Sequence, residues 1–286
     1  MPQYAQPRML DEALALLSQG PWRILAGGTD FYPAQGTRPI AEDVLDIAAL
    51  SELRGIRETE THIGIGAATT WIDIIRASLP SAFDALKQAA REVGSVQIQN
   101  TGTVAGNLCN ASPAADGVPP LLVLDAEMEL RGKDSARWLP LQDFVLGNRR
   151  TALEAGEMMT ALRVPKTSCG GSSAFLKLGA RRYLVISIAM VAVRVEVESD
   201  GRIAHAAVSV GACSAVAARL SGLEAALIGP AQADIAAIVG AAGLPELFPI
   251  DDVRGSAGYR LDAARELVIR TIQAAIDAPL LGQRAA

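Results

Sequence analysis

The stretch Ile24-Leu25-Ala26-Gly27-Gly28-Thr29-Asp30-Phe31 decides how the rest of the chain is read. A short apolar run, Trp22 to Ala26, ends in two adjacent glycines and is followed by a hydroxyl and an acid. Glycine lets a backbone turn with φ > 0 and approach a ligand with no Cβ in the way. Consecutive N–H groups in such a turn form a nest for an anion, and a pyrophosphate suits it. Thr29 and Asp30 stand where they would cap a following helical turn and add its N-terminal dipole. An ordinary strand-to-helix turn would carry the same letters, so this stretch alone does not settle the matter.

A second stretch repeats the logic: Asn100-Thr101-Gly102-Thr103-Val104-Ala105-Gly106-Asn107, continuing through Leu108-Cys109-Asn110-Ala111-Ser112-Pro113-Ala114-Ala115-Asp116. Small residues and hydroxyls bring backbone N–H and side-chain O–H groups close to phosphate oxygens. Asp116 ends the run where sugar hydroxyls need an acceptor. Neither stretch is a Rossmann fingerprint. Gly64-Ile65-Gly66-Ala67-Ala68-Thr69 comes nearest to it and lacks the last glycine. Two separate small-residue loops suit a long ligand gripped from two sides, which means a phosphate-bearing cofactor.

Working outward, Leu10, Ala13, Leu14 and Leu17 have helical spacing and stop at Gly20-Pro21. Trp22 to Ala26 and Asp43 to Ile47 read as strands. So do Ile56-Arg57 and His62 to Gly66, either side of the turn Glu58–Thr61. Thr70 caps a helix to about Ala77, and Ala82 to Val93 is helical again. Gly94 to Pro120 shows no periodicity, and a stretch of that length without structure in a compact domain is a functional one. Leu121 to Leu130 and Glu157 to Val164 read as strands. Ser168 to Ser173 is rich in Gly and Ser and marks a boundary. Ile188 to Glu198 and Ile203 to Gly211 form a hairpin about Asp200-Gly201. Helices are expected over Ala215–Ile228, Gln232–Ala242 and Gly258–Ala278. The class is α+β, with a C-terminal domain of antiparallel strands and helices.

The composition excludes several functions. The chain has 286 residues, half of them apolar, enough for a substantial core. Its mean hydropathy is +0.25, yet no apolar run nears the roughly 18 residues of a membrane span. Lys and Arg number 26 against 31 Asp and Glu, a formal charge of −5, which gives no basic footprint for nucleic acid. Met1 to Arg8 has no charged start before an apolar run, so a cytoplasmic protein is expected. Cys109, Cys169 and Cys213 are too scattered for a disulfide framework or an iron–sulfur cluster. With His62 and His205 as the two histidines, no metal ligand set and no acid–base catalytic residue is assigned.

The Ala26–Asp30 and Thr103–Asn107 pair, with Asn110-Ala111-Ser112-Pro113 and Asp116 after it, resembles the FAD-binding medium subunit of molybdenum hydroxylases, the xanthine dehydrogenase and carbon monoxide dehydrogenase family. Phe175-Leu176-Lys177-Leu178 and Arg254-Gly255-Ser256-Ala257-Gly258-Tyr259-Arg260 match weakly as well. The resemblance spans essentially the whole chain. It implies a two-part FAD-binding domain of the PCMH-like type, residues 1–55 and 56–170, and a smaller C-terminal domain, residues 171–286. Ile24, Leu25, Ala26, Gly27, Gly28, Thr29, Asp30 and Phe31 would hold the pyrophosphate from one side. Thr103, Val104, Ala105, Gly106 and Asn107 would hold it from the other, with the Thr103 hydroxyl as a donor. Asp116 would bond sugar or ribityl hydroxyls. Val93, Leu162 and Lys177 match positions lining the cofactor, Lys177 near the flavin ring. Ala105 departs from the family's paired glycines, and if that backbone needs φ > 0 it costs about 1 kcal/mol.

The resemblance also implies the setting. Hydroxylation would occur at the molybdenum cofactor of a large subunit, and a small subunit would carry two [2Fe–2S] clusters. FAD on this chain would pass their electrons to NAD+, oxygen, a quinone or a carrier, in a dimer of heterotrimers. The rivals are a self-contained flavoenzyme with its own organic substrate and a cofactor-free scaffold.

Overall fold

A computed structural model describes residues 1–230 and 234–284, with side chains through residue 278. The chain begins with a parallel sheet of β1 (Tyr4–Ala5), β2 (Arg23–Leu25) and β3 (Val44–Asp46), in the order β1-β3-β2. Helix α1 (Leu10–Leu17) crosses from β1 to β2, and α2 (Phe31–Gln35) connects β2 to β3. The four residues at helical spacing in α1, Leu10, Ala13, Leu14 and Leu17, are buried and packed with Leu45, Ile47 and Leu50.

The second sheet is antiparallel. It contains β4 (Ile56–Glu58), β5 (His62–Gly66), β6 (Glu127–Arg131), β7 (Ala136–Pro140) and, after a small hairpin of β8 (Val145–Gly147) and β9 (Arg150–Thr151), β10 (Met158–Pro165). Its order is β4-β5-β10-β6-β7. Alternate residues Ile63, Ile65, Met128, Leu130, Leu162 and Val164 bury one face, as a half-covered sheet requires. Helices α3 (Trp71–Arg76) and α4 (Asp84–Glu92) contribute Trp71, Ile74 and Leu86 to the same core.

The stretch 94–120 is not structureless. It contains α5 (Val96–Thr101), α6 (Val104–Cys109) and the start of α7 (Val118–Val123). Each helix has only six residues, too few to show a period, and the signal lies in the caps. Ser95 Oγ accepts from Ile98 N–H at 3.4 Å, and Thr103 Oγ1 from Gly106 N–H at 3.0 Å. Pro119 and Pro120 sit in the first turn of α7, where a missing N–H costs nothing. The expected strand Leu121–Leu130 is therefore the end of α7, a turn through Asp125 at φ 51°, and only then β6. A further helix, α8 (Leu141–Phe144), follows β7.

The third sheet joins β11 (Ser172–Leu178), β12 (Ala189–Val197), β13 (Arg202–Gly211) and β14 (Ala218–Arg219), antiparallel in that order, with β15 (Gly229–Pro230) at the other end of β13. The Asp200-Gly201 turn is present, Gly201 at φ +79°. Ala215–Ile228 is not one helix: β14 precedes a short α9 (Ser221–Ala226). The first residues of the helix expected from Gln232 lie outside the described residues, and α10 (Ile235–Ala242) covers the rest. The long α11 (Ala257–Arg284) lays Ala264, Val268, Ile272 and Ala275 onto the sheet.

Two arginines of this sheet grip the end of α7. Arg194 on β12 is almost wholly buried. It donates to the Val123 carbonyl (3.0 Å) and to Glu196 (2.6 Å), with Asp125 at 3.8 Å. Arg219 on β14 donates to the Leu122 carbonyl and to Asp125, both at 2.9 Å. The last carbonyls of a helix lack intrahelical partners and favour a cation. Arg194→Ala should lower stability by about 3 kcal/mol, because partners of a buried cation are left unpaired. Arg194→Lys should recover only part, since an ammonium lacks the planar fork. Thermal unfolding of the two variants measures both.

Candidate functional site

The two small-residue loops meet. A Cβ built on Gly27 would lie 1.9 Å from the Thr101 carbonyl oxygen, so the first loop rests on the C-terminal turn of α5. Gly28 has φ +72°, and a Cβ there would lie 2.8 Å from the Tyr32 ring. The second loop is pinned to the entrance of α3: Trp71 N–H donates to the Gly102 carbonyl (3.1 Å) and Val104 N–H to the Thr69 carbonyl (3.0 Å). Thr70 and Thr103 pair as an isolated bridge between them.

This pinning leaves donors free. The N–H groups of Gly27, Gly28, Thr29, Asp30 and Phe31 meet no acceptor among the described residues, and neither do those of Thr103 and Ala105. Thr103 Oγ1 is occupied as acceptor for Gly106, so its proton remains available to donate. Asp30 is the N-cap residue of α2, but neither it nor Thr29 makes the expected side-chain cap. Ala105 lies inside α6 with ordinary helical backbone, so the feared cost of a positive φ does not arise.

A cavity of about 690 Å³ opens where the loops meet, within the range of cofactor sites. Ile24, Ala26, Gly27, Gly28, Thr29, Asp30 and Phe31 line it, and so do Val93, Thr103, Ala105, Gly106 and Asn107. Leu25, Val104 and Leu162 do not line it and are buried, with 5%, 0% and 0% exposure. Asp116 and Lys177 are not among the lining residues and bind each other at 2.6 Å, while Ser187 Oγ donates to Asp116 at 2.6 Å. Burial raises the Asp116 carboxyl, and Lys177 opposes that shift.

The sequence reading missed other wall residues, among them Arg23, Trp71, Ile98, Asn110, Glu157 and Met159. Asn110 lay inside the second small-residue stretch, whereas Trp71 and Glu157 belong to an expected helix and an expected strand, with no local sign that they would face the cavity. Arg23 stacks over the Phe31 ring at 4.1 Å. The Glu157 carboxyl is lowered by a two-pronged bond from Arg137, both prongs at 2.8 Å. The Cys109 thiol is pushed up to about 12 by burial, so it is no thiolate. Charged wall residues are thus few, and oriented amides dominate. Glycines that tolerate no Cβ and unpartnered N–H donors from two sides are what a bound pyrophosphate requires. Among the described residues no group of His, Cys, Asp and Glu could hold a metal, and no helix is long and apolar enough to cross a membrane.

Comparison with known proteins agrees with this geometry. Residues 1–167 match the FAD binding domain in molybdopterin dehydrogenase, and residues 149–275 the CO dehydrogenase flavoprotein C-terminal domain. The nicotinate dehydrogenase FAD-subunit of Eubacterium barkeri is 40% identical over 207 residues, 70% of either chain. The carbon monoxide dehydrogenase medium chain of Hydrogenophaga pseudoflava is 32% identical over 280 residues, 96% of either chain. A solved structure of the carbon monoxide dehydrogenase from Hydrogenophaga pseudoflava superposes with a TM-score of 0.87 at 31% identity, covering 96% of both chains. Reconstituted CO dehydrogenase from Oligotropha carboxidovorans gives 0.89 at 28% identity, covering 96% of this chain and 98% of that one. The chain belongs to the family of FAD-binding subunits of molybdenum hydroxylase-type dehydrogenases, and is an oxidoreductase subunit of that kind.

Proposed function

We propose that this subunit relays electrons from two [2Fe–2S] clusters of a small partner subunit, through its FAD, to an external acceptor. Its assembly would be a cytoplasmic dimer of heterotrimers with a large molybdenum-cofactor subunit. The observation that carries this reading is the facing pair of loops with their unpartnered amides. FAD, when bound, accepts single electrons and gives them up singly or in pairs, a chemistry that belongs to the cofactor. The chain's own residues bind and orient. The amides of Gly27 to Phe31 would donate to one side of the pyrophosphate, and those of Thr103 and Ala105, with the Thr103 hydroxyl, to the other. Asp116 retains lone pairs beside Lys177 and Ser187 for a sugar or ribityl hydroxyl. Val93 gives the cavity an apolar wall, with Leu162 in the core behind it. Lys177, held by Asp116, would set a positive charge near the ring.

The purified full chain should bind one FAD without a covalent link, and heat should release FAD and not FMN. Gly28→Val should weaken binding by about 100-fold or more, a loss of roughly 2.7 kcal/mol, while leaving the circular dichroism of the fold intact. Gly27→Ala should weaken it as well, because its Cβ pushes the loop off the Thr101 carbonyl. Thr103→Ala should cost about 1.5–3 kcal/mol, one hydrogen bond to a charged group. Wild-type affinity in the Gly28 variant would refute the loop assignment.

The isolated subunit should oxidise no xanthine, aldehyde or N-heterocycle. Reconstituted with its large and small subunits, the Gly28→Val variant should stop turnover with the physiological acceptor while clusters are still reduced by substrate. Stopped-flow spectra separate cluster bleaching from flavin bleaching. Turnover by the isolated chain, or full turnover without FAD, would establish a self-contained flavoenzyme or a bypass and end the relay reading.

A further inference from the structure

Asn110 follows α6 on the cavity wall, beside Cys109. The β8–β9 hairpin brings Arg149 across it. Arg149 Nη1 donates to the Asn110 carbonyl at 3.0 Å and also to the Asn110 side-chain oxygen, and Arg149 N–H donates to the Ala111 carbonyl at 2.9 Å. A guanidinium can only donate, so the amide atom it holds has to be the oxygen. That choice fixes the amide flip and turns Nδ2, with its two N–H donors, away from Arg149. Nδ2 makes no hydrogen bond among the described residues. The contact is held under backbone strain at both ends, Ala111 at φ 46° and Arg149 at φ 57°. Strained backbone that the surroundings enforce beside a cavity is a mark of geometry set for a ligand.

We propose that Asn110 is a further cofactor-binding residue, donating from Nδ2 to an acceptor oxygen or nitrogen of the bound flavin nucleotide. Arg149 is the positioning residue that aims it. This inference rests on the FAD reading above and adds a donor that neither glycine loop supplies. It separates two parts of the wall: backbone amides grip the phosphates, and one oriented side-chain amide reads a neighbouring polar atom. Arg149 touches no ligand itself and acts through the atom it occupies.

The discriminating variant is Asn110→Asp. It is nearly isosteric and keeps or strengthens the bond to Arg149, but it replaces the donor by a negative acceptor. In the full chain stripped of FAD and titrated with it, Asn110→Asp should melt at or above the wild-type temperature. Its FAD affinity should fall by about tenfold or more, and the visible circular dichroism of the bound flavin should change. Arg149→Ala should weaken FAD binding in the wild-type background and leave it unchanged in an Asn110→Ala background, as coupled residues do. Arg149→Lys should restore part of the loss. If Asn110→Asp bound FAD like the wild type, or Arg149→Ala weakened binding equally in both backgrounds, Asn110 would be a purely structural link and the inference would fail. A wild-type chain that bound no FAD would instead overturn the proposed function, and this inference with it.

Discussion

Gly27 and the Thr101 carbonyl oxygen occupy neighbouring positions with no room for a methyl group between them, and the cavity exists because of that contact. The two loops come from different layers, one from the parallel sheet and one from the helices over the second sheet. Each is short, and neither could hold a shape alone, because a turn with unpaired amides has little to stabilise it. With the first loop against Thr101 and the second fixed to Thr69, Thr70 and Trp71, both line one cavity with N–H groups that no acceptor among the described residues takes. The donors are oriented before any ligand arrives, which lowers the ordering cost of binding.

The same wall is tied to the C-terminal sheet through α7. Gly117, just before that helix, lies so close to the Trp71 ring that a Cβ would come within 2.5 Å, and its N–H donates to Asn107 at 3.3 Å. The far end of α7 is held by Arg194 and Arg219. One short helix therefore spans from the cavity wall to the third sheet. The Asp116–Lys177 pair makes a second tie, from the residue before Gly117 to β11. Ala85 and Ala89 of α4 pack with Phe175 and Met190 of the third sheet in a small shared core. Movement of the C-terminal sheet would be felt at Asn107 and Trp71 through these links.

How much of this was legible in the sequence follows from the range of each interaction. The glycine loops could be read because their chemistry is local: a positive φ at Gly28 and small neighbours are written in consecutive letters. The antiparallel hairpin about Gly201 was legible for the same reason. The helices of 94–120 were not, since a six-residue helix offers one turn of pattern and its caps outweigh its period. The apolar run Leu121–Leu124 fits a buried helix end as well as a strand, and periodicity alone does not separate them. Asp116 and Lys177 were picked out through family resemblance, but their mutual pairing spans 61 positions and left no local trace. Arg149 was invisible for the same reason, its partner Asn110 lying 39 positions away. The worry over Ala105 came from expecting a turn where the chain had already entered a helix.

The chemistry of the wall bears on the parts its own side chains could play. Its charged members are Arg23, Asp30 and Glu157, which leaves the wall without net positive charge, so an anion there would meet backbone dipoles above all. Glu157 stays ionised under Arg137, and the Cys109 thiol stays protonated, so neither is poised to exchange a proton near neutrality. His62 lies 4.0 Å from Glu127 on the second sheet, and burial, helped by the facing Arg194, lowers the His205 pKa. General acid–base work needs a group whose pKa lies near the working pH and within reach of the reacting atom. Glu157 and Cys109 are shifted away from that range, while the backbone amides that line the loops neither gain nor lose protons. Such a wall suits a cofactor that changes its charge by taking up electrons, because fixed dipoles hold their geometry through the change without chemistry of their own.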